Sequence, residues 1–230
     1  MKQIKFLTKD EVEIYGLYAG EGSKNAPAVV LLHMMPAAKE SWRNFQEKLA
    51  AAGFQSLAID MRGHGESILK NGKTIDYKNF SDVEQQEKIY DVEASVNFLL
   101  EQGIGLEQIS LAGASIGANL ALQYQSEHPE IKASVLLSPG LDYRGVKTEP
   151  LARGIAGGQS VYLAGATEDF RSSGPSCADM AETLFNLLES ENKKLKIIEG
   201  KEHGTDLFIT YPELMGEAVE WMKDIYISES

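Results

Sequence analysis

Cysteine is nearly absent from this sequence, in which Cys177 is the single one among 230 residues. An internal disulfide is therefore excluded, and so is any zinc or iron–sulfur site built from several cysteines. Long apolar runs are also absent, because none approaches the ~18 residues expected of a membrane-spanning helix. Positive charge is scarce: 22 Lys and Arg face 34 Asp and Glu, which leaves a formal net charge of −12. That balance disfavours nucleic acid and anionic membrane surfaces as partners.

Residues 1–10 contain scattered lysines and no apolar segment of the kind found in a secretory signal. We therefore expect a cytoplasmic protein without a stable membrane anchor, either a monomer or a small homo-oligomer. The composition, 43% hydrophobic and 24% charged, is typical of globular proteins. No internal repeat or Pro/Ser-rich linker divides the chain, so the sequence predicts a single domain over residues 1–230.

Short apolar runs alternate with segments of helical periodicity along the chain. Residues 4–7 and 12–18 flank a polar turn and predict an N-terminal β-hairpin. An unbroken apolar run, typical of a strand buried on both faces, occupies residues 28–32, and further strands are predicted at residues 56–59, 109–112, 133–137, 161–163 and 195–198. Amphipathic helices are predicted over residues 41–53, 81–102 (capped by Ser81 or Asp82), 116–127, 178–188 and 211–227. This alternation favours an α/β fold class with a mostly parallel sheet.

The strongest chemical signal is Gly-x-Ser-x-Gly at residues 113–117, placed between a predicted strand and a predicted helix. A sharp turn of this kind, the nucleophile elbow, projects the hydroxyl of Ser115. It needs small neighbours because other backbone passes close to it. The helix that follows aims its free N–H groups at the charge that develops during attack. This context favours a nucleophilic Ser115 over an ordinary glycine-rich helix start.

A serine hydroxyl is a weak nucleophile and needs a base, a role for which the chain offers four histidines. His128 ends a polar helix and is expected to be exposed, and His64 is expected to organise the loop 60–67. His33 ends a strand upstream of the nucleophile. His203 follows the last predicted strand in a glycine-containing loop, from which it can reach over the serine. We predict that His203 is the base.

The base needs a carboxylate that fixes its tautomer and stabilises the imidazolium. Glu168 and Asp169 both follow the strand predicted at 161–163, which gives the order serine, acid, histidine. We prefer Asp169 and keep Glu168 as the alternative. An oxyanion hole needs two backbone donors: the N–H of Ile116 and one N–H from the loop at residues 33–38.

The motif at 113–117, the turn at 33–36, the segment 60–67 and the Asp169/His203 pair together resemble the α/β-hydrolase superfamily. Within it, the chain is similar to small bacterial serine esterases and lysophospholipase-like hydrolases, over residues 5–221. The resemblance implies a three-layer fold around a mostly parallel central sheet. It also implies a triad of Ser115, Asp169 and His203 that cleaves a small-molecule carboxylic ester through an acyl-enzyme, without a metal or cofactor.

One departure from the family pattern concerns the first parallel strand, after which family members usually have His-Gly. This chain has His33-Met34. When the turn is carried over position by position, the second oxyanion donor is the N–H of Met35, with Met34 as the alternative. The side chains of both methionines either line the acyl pocket or belong to the packed core.

A second feature is the shortness of residues 138–159, where the family often inserts a lid. These residues suit at most a short helix, at 151–156, so we expect no cap domain. The resulting open site favours short to medium acyl chains.

Serine at position 115 also separates this chain from subclasses whose nucleophile differs. The resemblance gives dehalogenases and epoxide hydrolases a carboxylate there, and dienelactone hydrolases a cysteine. Cys177 lies elsewhere and is expected to be a structural or surface thiol. A thioesterase, a lysophospholipase or a peptidase with the same triad remains an alternative, as does a non-catalytic ligand-binding protein on the same scaffold.

Overall fold

A polar turn at residues 8–12 pairs the first two strands, β1 (Lys2–Leu7) and β2 (Glu13–Ala19), as an antiparallel hairpin. The hydroxyl of Thr8 closes the turn by accepting the N–H of Val12 at 2.9 Å and donating to Asp10 at 2.7 Å. The structure, a computed structural model, describes residues 1–20, 26–171 and 173–227. The predicted N-terminal hairpin is confirmed.

The remaining strands form most of the core. They are β3 (Ala28–Leu32), β4 (Gln55–Ile59), β5 (Leu69–Lys70), β6 (Lys73–Thr74), β7 (Ile109–Ala114), β8 (Ala133–Leu137), β9 (Asp142–Tyr143), β10 (Val146–Lys147), β11 (Ser160–Ala166) and β12 (Lys193–Ile198). Eight strands make one sheet in the order β1-β2-β4-β3-β7-β8-β11-β12, parallel from β4 to β12. The pairs β5–β6 and β9–β10 are small separate hairpins.

Helices cover both faces of this sheet. They are α1 (Arg43–Ala51), α2 (Asp82–Gln86), α3 (Ile89–Glu101), α4 (Ile116–Glu127), α5 (Thr148–Arg153), α6 (Cys177–Leu187), α7 (Asp206–Thr210) and α8 (Pro212–Ile227). Alternate residues of β3 belong to different apolar clusters, Val30 to one that includes α3 to α6 and Val29 to one that includes α1, α7 and α8. The fold is therefore the predicted three-layer α/β architecture.

The helix predicted as continuous over 81–102 is broken, and this prediction was wrong in the middle. Ser81 caps α2 through a capping box with Glu84, but α2 ends at Gln86 and α3 starts at Ile89. Lys88 lies in the break, where its N–H bonds the carbonyl of Gln85 at 3.3 Å in a tighter turn. The break turns the lysine side chain inward, where it is fully buried.

The connection between β8 and β11 holds the hairpin β9–β10 and α5. The short helix begins at Thr148, three residues before the predicted start at 151. Asn119 of α4 ties the segment down by donating to the carbonyl of Val146 at 3.0 Å and accepting the N–H of Gly140 at 3.0 Å. Because the segment packs against α4, the described residues form no cap domain above the carboxyl edge of the sheet.

The closing helix also differs from its prediction over 211–227, because α8 begins at Pro212 and a separate short helix, α7, precedes it. None of the helices among the described residues combines the length and the apolar character needed to cross a membrane.

Candidate active site

Ser115 lies between β7 and α4 in a backbone conformation that side chains rarely adopt, with φ 56° and ψ −121°. Its N–H donates to the carbonyl of Leu137 at 2.9 Å, and its carbonyl accepts the N–H of Ala118 at 2.9 Å. The side chain makes no capping hydrogen bond to α4, so the helix does not engage the hydroxyl. The turn therefore projects the hydroxyl at the carboxyl edge of the sheet, where α/β folds bind their ligands.

Two glycines make this turn possible through close approach. A Cβ atom on Gly113 would overlap the carbonyl oxygen of Gly117, and one on Gly117 would overlap the carbonyl oxygen of Leu32. The start of α4 consequently packs directly against the ends of β3 and β7. The first N–H groups of a helix lack partners within it, and that of Ile116 has none elsewhere among the described residues. Ile116 N–H is thus available to a developing oxyanion.

His203 and Asp169 come together from the loops that follow β12 and β11. Nδ1 of His203 lies 2.6 Å from Oδ2 of Asp169, and both side chains are buried. A carboxylate accepts, so Nδ1 carries the proton and Nε2 is free to take another. The next residue, Gly204, donates its N–H to the hydroxyl of Ser138 at 2.9 Å and backs against Ala114, the residue before Ser115. The histidine loop is thereby fixed against the elbow.

The Asp169 carboxylate has a further partner, since Nε of Arg171 donates to its other oxygen at 2.9 Å. Burial alone would raise the pKa of Asp169, but hydrogen bonds from His203 and Cys177 and the charges of His203 and Arg171 hold it below its ordinary value. Glu168, the alternative, is exposed. Of the two candidate acids, the structure brings Asp169 against the imidazole.

Cys177 is fully buried beside this pair, which agrees with a structural thiol and not with the surface alternative. Its sulfur lies 3.9 Å from Nδ1 of His203 and 3.5 Å from the hydroxyl of Tyr143. Burial raises the pKa of the thiol to about 12. The sequence carried no signal for this contact, because it depends on how α6 docks beside β11.

Asp169, Cys177 and His203 each offer one ligand atom, and these atoms lie within 4.8 Å of one another. They suit a cation poorly. A metal would have to displace the 2.6 Å hydrogen bond between the histidine and the carboxylate, and would have to deprotonate a thiol whose pKa is about 12. Arg171 already places a positive charge at the same carboxylate, 2.9 Å away.

The loop after β3 carries Met34 and Met35, both half-buried, with their side chains packed in opposite directions. Met34 packs toward Gly204 and the cluster under α7 and α8. Met35 packs toward the cluster under α3 and lies 3.6 Å from Nζ of Lys88. The methionines therefore flank this loop, which we call the oxyanion loop (residues 33–38).

His33 anchors the oxyanion loop to the neighbouring strand end. Its Nε2 accepts the N–H of Met61 at 3.0 Å, so Nδ1 carries the proton and donates to the carbonyl of Met34 at 2.8 Å. Burial lowers the pKa of His33 to about 4, which keeps the ring neutral. Next to it, His64 stacks on Tyr77 with ring centroids 3.7 Å apart, in agreement with a loop-organising role. His128 is half-buried and stacked on its helix, less exposed than expected.

A buried ion network holds the segment 60–67 beneath the oxyanion loop. Asp60 accepts Nζ of Lys39 at 2.6 Å and the N–H of Glu66 at 2.9 Å. Arg62 reaches Asp91 of α3 through Nε at 2.8 Å. Sequence reasoning did not identify Lys39, Asp91 or Lys88, because single charges within amphipathic segments are indistinguishable from solvated ones.

An open cleft of about 390 Å³ adjoins the candidate site; it is lined by Arg171, Lys201, Glu202, His203, Asp206, Ile209 and Thr210. Its rim includes the exposed side chain of Ile209, and Phe170 is exposed next to the candidate acid. The cleft reaches the candidate site at His203, whereas Ser115 and the oxyanion loop are not among the residues that line it.

The family model for the alpha/beta hydrolase fold matches residues 27–192, and the chain belongs to this family. It is similar to Epoxide hydrolase B of Mycobacterium tuberculosis, with 31% identity over 134 residues, which is 58% of this chain and 32% of that protein. The chain spans less than half the length of the first curated relatives it matches, 45% and 32%.

Solved structures share the fold over nearly the whole chain. The esterase Pf2001 of Pyrococcus furiosus superposes with a TM-score of 0.76 at 19% identity, covering 96% of this chain and 91% of that one. Est1E of Butyrivibrio proteoclasticus, solved with ferulic acid, gives a TM-score of 0.75 at 19% identity, covering 97% and 99%. At these identities the likeness shows the fold alone. The expected α/β-hydrolase membership is confirmed.

Proposed function

We propose that this chain is a serine hydrolase that cleaves carboxylic esters through an acyl-enzyme, with Ser115 as nucleophile, His203 as base and Asp169 as the orienting acid. One observation carries the proposal: the 2.6 Å Asp169–His203 pair is fixed by Gly204 against the turn that projects Ser115. These parts lie on three separate loops, so sequence proximity does not account for the closeness of the histidine loop to the elbow, and that closeness supports the proposal.

In the first half of the reaction, the Ser115 hydroxyl attacks the ester carbonyl and passes its proton to Nε2 of His203. The N–H groups of Ile116 and Met35 (or Met34) receive the negative charge on the carbonyl oxygen, each worth about 3 kcal/mol where such donors have been removed. The C–O bond then breaks as His203 returns the proton to the leaving alcohol. The acyl group stays on Ser115.

In the second half, His203 takes a proton from water, whose oxygen attacks the acyl carbonyl. The tetrahedral intermediate collapses, Ser115 recovers its proton, and the carboxylic acid leaves. Throughout, Asp169 retains its charge and stabilises the imidazolium, and the lowered pKa of this carboxyl supports that role.

Two features favour an ester over an epoxide, although an epoxide hydrolase is among the relatives. Epoxide opening in this fold needs a carboxylate nucleophile, whereas position 115 is serine. The similar folds include a protein named as an esterase and one solved with ferulic acid. The open cleft and the lack of a cap domain among the described residues support short to medium acyl chains.

A series of p-nitrophenyl esters from acetyl to long acyl chains tests the proposal. Wild type is expected to hydrolyse the shorter esters fastest, and mass spectrometry after a single turnover should find the acyl group on Ser115. Ser115→Ala should lose hydrolysis, whereas Ser126→Ala, on the same helix and away from the site, should keep it. Equal rates for Ser115→Ala and wild type would disprove the proposal.

The same panel separates the alternatives that share this triad. Thioesters, lysophospholipids and amides, assayed beside the esters, would identify a thioesterase, a lysophospholipase or a peptidase by a higher kcat/KM. A folded wild-type protein that is not labelled at Ser115 by a fluorophosphonate probe would favour a non-catalytic binding protein instead.

A further inference from the structure

Lys88 carries a buried amine that the proposed mechanism does not use. It lies in the break between α2 and α3, and none of its surface is exposed. A lysine at a helix break can usually turn outward and keep its charge in water. Here the tighter turn between Gln86 and Ile89 points the side chain into the protein, so the conformation of the backbone places it in the interior.

The contacts of this amine are polar but uncharged. Nζ of Lys88 donates to Oε1 of Gln85 at 2.6 Å, lies 3.3 Å from Nε2 of His64, and lies 3.6 Å from Sδ of Met35. Burial, together with the neighbouring charge of Lys88, holds the pKa of His64 well below its usual range, so its neutral ring can accept the ammonium proton. The salt bridges among the described residues include none to Lys88.

The position of Lys88 connects it to the oxyanion loop. Met35 contributes its side chain to the Lys88 contact and, in the proposed mechanism, its N–H to the oxyanion hole. A positive charge behind that loop acts through a medium of low polarity, where its field is weakly screened. It stabilises the tetrahedral intermediate, which bears negative charge, more than the neutral ester, and such differential stabilisation raises kcat.

We propose that Lys88 is a positioning residue for ester hydrolysis, which holds the Met35 side chain and supplies a buried positive charge behind the oxyanion loop. This inference rests on the proposed function, because the oxyanion exists only if an acyl carbonyl is attacked. An ammonium kept from water without a carboxylate partner is unfavourable for folding. A role in catalysis accounts for its retention.

The proposal implies that activity falls when Lys88 loses its proton. Burial lowers the pKa of Lys88 to about 8, with Asp91 opposing this shift and Arg144 and Arg62 adding to it. The titratable or charged groups that face Lys88 from the surrounding elements are His64 and Arg62 after β4, Tyr77 with its ring centroid 6.0 Å away, His33 behind His64, Asp91 on α3, and Arg144 between β9 and β10.

Kinetics of Lys88→Met and Lys88→Arg test the catalytic part across pH 6 to 10, with Lys73→Met in an exposed hairpin as the matched control. We expect wild-type kcat to decline above a pH of about 8. Lys88→Met should lower kcat about tenfold at pH 7 with KM within about twofold, and should abolish the decline. Lys88→Arg should retain most of kcat and stay active at pH 10, because its guanidinium keeps its charge.

If Lys88→Met does not fold, Gln85→Leu replaces it. Removing the acceptor of the ammonium proton disfavours the charged form, so the decline should move to lower pH in a folded Gln85→Leu protein. A decline that neither variant alters would overturn the proposal, and so would an effect on KM alone.

A measurement independent of activity uses ¹³C-methyl-labelled methionine. The protein has seven methionines, and Met35→Leu assigns the resonance of interest. That resonance should titrate with a midpoint near pH 8 in wild type and stay constant in Lys88→Leu, which introduces no further labelled methyl group. An active enzyme whose Met35 methyl does not titrate would overturn the Lys88 proposal alone. A wild type that neither hydrolyses esters nor labels at Ser115 would overturn the proposed function, and the catalytic role of Lys88 with it.

Discussion

The thiol of Cys177 lies 3.9 Å from Nδ1 of His203, against the same nitrogen that Asp169 holds at 2.6 Å. Its sulfur also lies 3.5 Å from the hydroxyl of Tyr143, in the hairpin β9–β10. The segment that is too short to form a cap therefore still reaches the candidate triad. Because burial raises the pKa of the thiol to about 12, Cys177 is neutral and packs as a small apolar group with a weak donor.

The reactivity of the Cys177 thiol should show whether its packing against His203 and Tyr143 is intact. We expect a thiol-specific disulfide reagent at pH 8 to modify the native protein at least about 100-fold more slowly than the urea-unfolded chain, because both burial and the raised pKa suppress the thiolate. The reaction can be followed by absorbance, and the single cysteine makes the signal unambiguous. Cys177→Ala provides the blank. Equal rates in the native and unfolded states would show that Cys177 is accessible to solvent in the native protein.

The two neighbouring carboxylates allow a matched test of the triad acid. Asp169→Asn should lower kcat by about 10⁴-fold, the loss that this change causes in a serine protease triad, because the amide does not hold the required imidazole tautomer. Glu168→Gln, one residue away and exposed, should change kcat/KM by less than about twofold. Both are assayed with a short-chain p-nitrophenyl ester, with circular dichroism as the folding control. The opposite pattern would assign the acid to Glu168.

Local patterns predicted the parts of the fold that depend on local physics. The apolar run 28–32 and the helix 116–127 match the observed elements residue for residue, because a strand buried on both faces and a glycine-started helix are set by neighbouring residues. The break at Lys88 could not be found this way, since the partners that the buried amine contacts there, Met35 and His64, lie far away in the sequence.

In the candidate site, too, some features follow from neighbouring residues in the sequence and others depend on tertiary packing. Ser115 is marked by its own neighbours, but the burial of Cys177 depends on how α6 packs beside β11, far along the chain. The contrast between Asp169 and Glu168 is of the same kind, because these adjacent residues of one loop are buried and exposed respectively, and only the packed loop distinguishes them. Side chains whose surroundings depend on tertiary contacts cannot be recognised from the spacing of residues in the sequence.

The buried amine of Lys88 should also be visible in stability, independently of catalysis. Its pKa is about 8 in the folded protein against an ordinary value of 10.5, so between these values the unfolded chain binds more protons than the folded one. The free energy of unfolding therefore increases as the pH rises from about 8 to 10.5. When the pH falls back to about 8, this increase is lost. The full shift corresponds to at most about 3 kcal/mol.

Urea unfolding of wild type and Lys88→Met at pH 7 and pH 10 measures this term. Other lysines and tyrosines titrate in both proteins, so the relevant quantity is the difference between the two free energies of unfolding. That difference should move in favour of wild type on going from pH 7 to pH 10. A difference that stays constant, or that moves toward the variant, would mean that Lys88 is not held in a desolvated position.

The glycine that precedes the elbow should tolerate no side chain at all. A Cβ atom on Gly113 would overlap the backbone carbonyl of Gly117, and that carbonyl is held in the first turn of α4, so it cannot yield without displacing the helix. We expect Gly113→Ala to destabilise the fold by about 3 kcal/mol or more. Gly157→Ala is the matched control, because no atom lies within 4 Å of its Cβ position; there the loss of unfolded-state freedom should leave stability unchanged or raise it by up to about 1 kcal/mol. Thermal unfolding followed by circular dichroism compares the two. Similar melting temperatures for both variants would show that α4 does not pack as closely on β7 as the elbow requires, and the geometry assigned to Ser115 would fall with it.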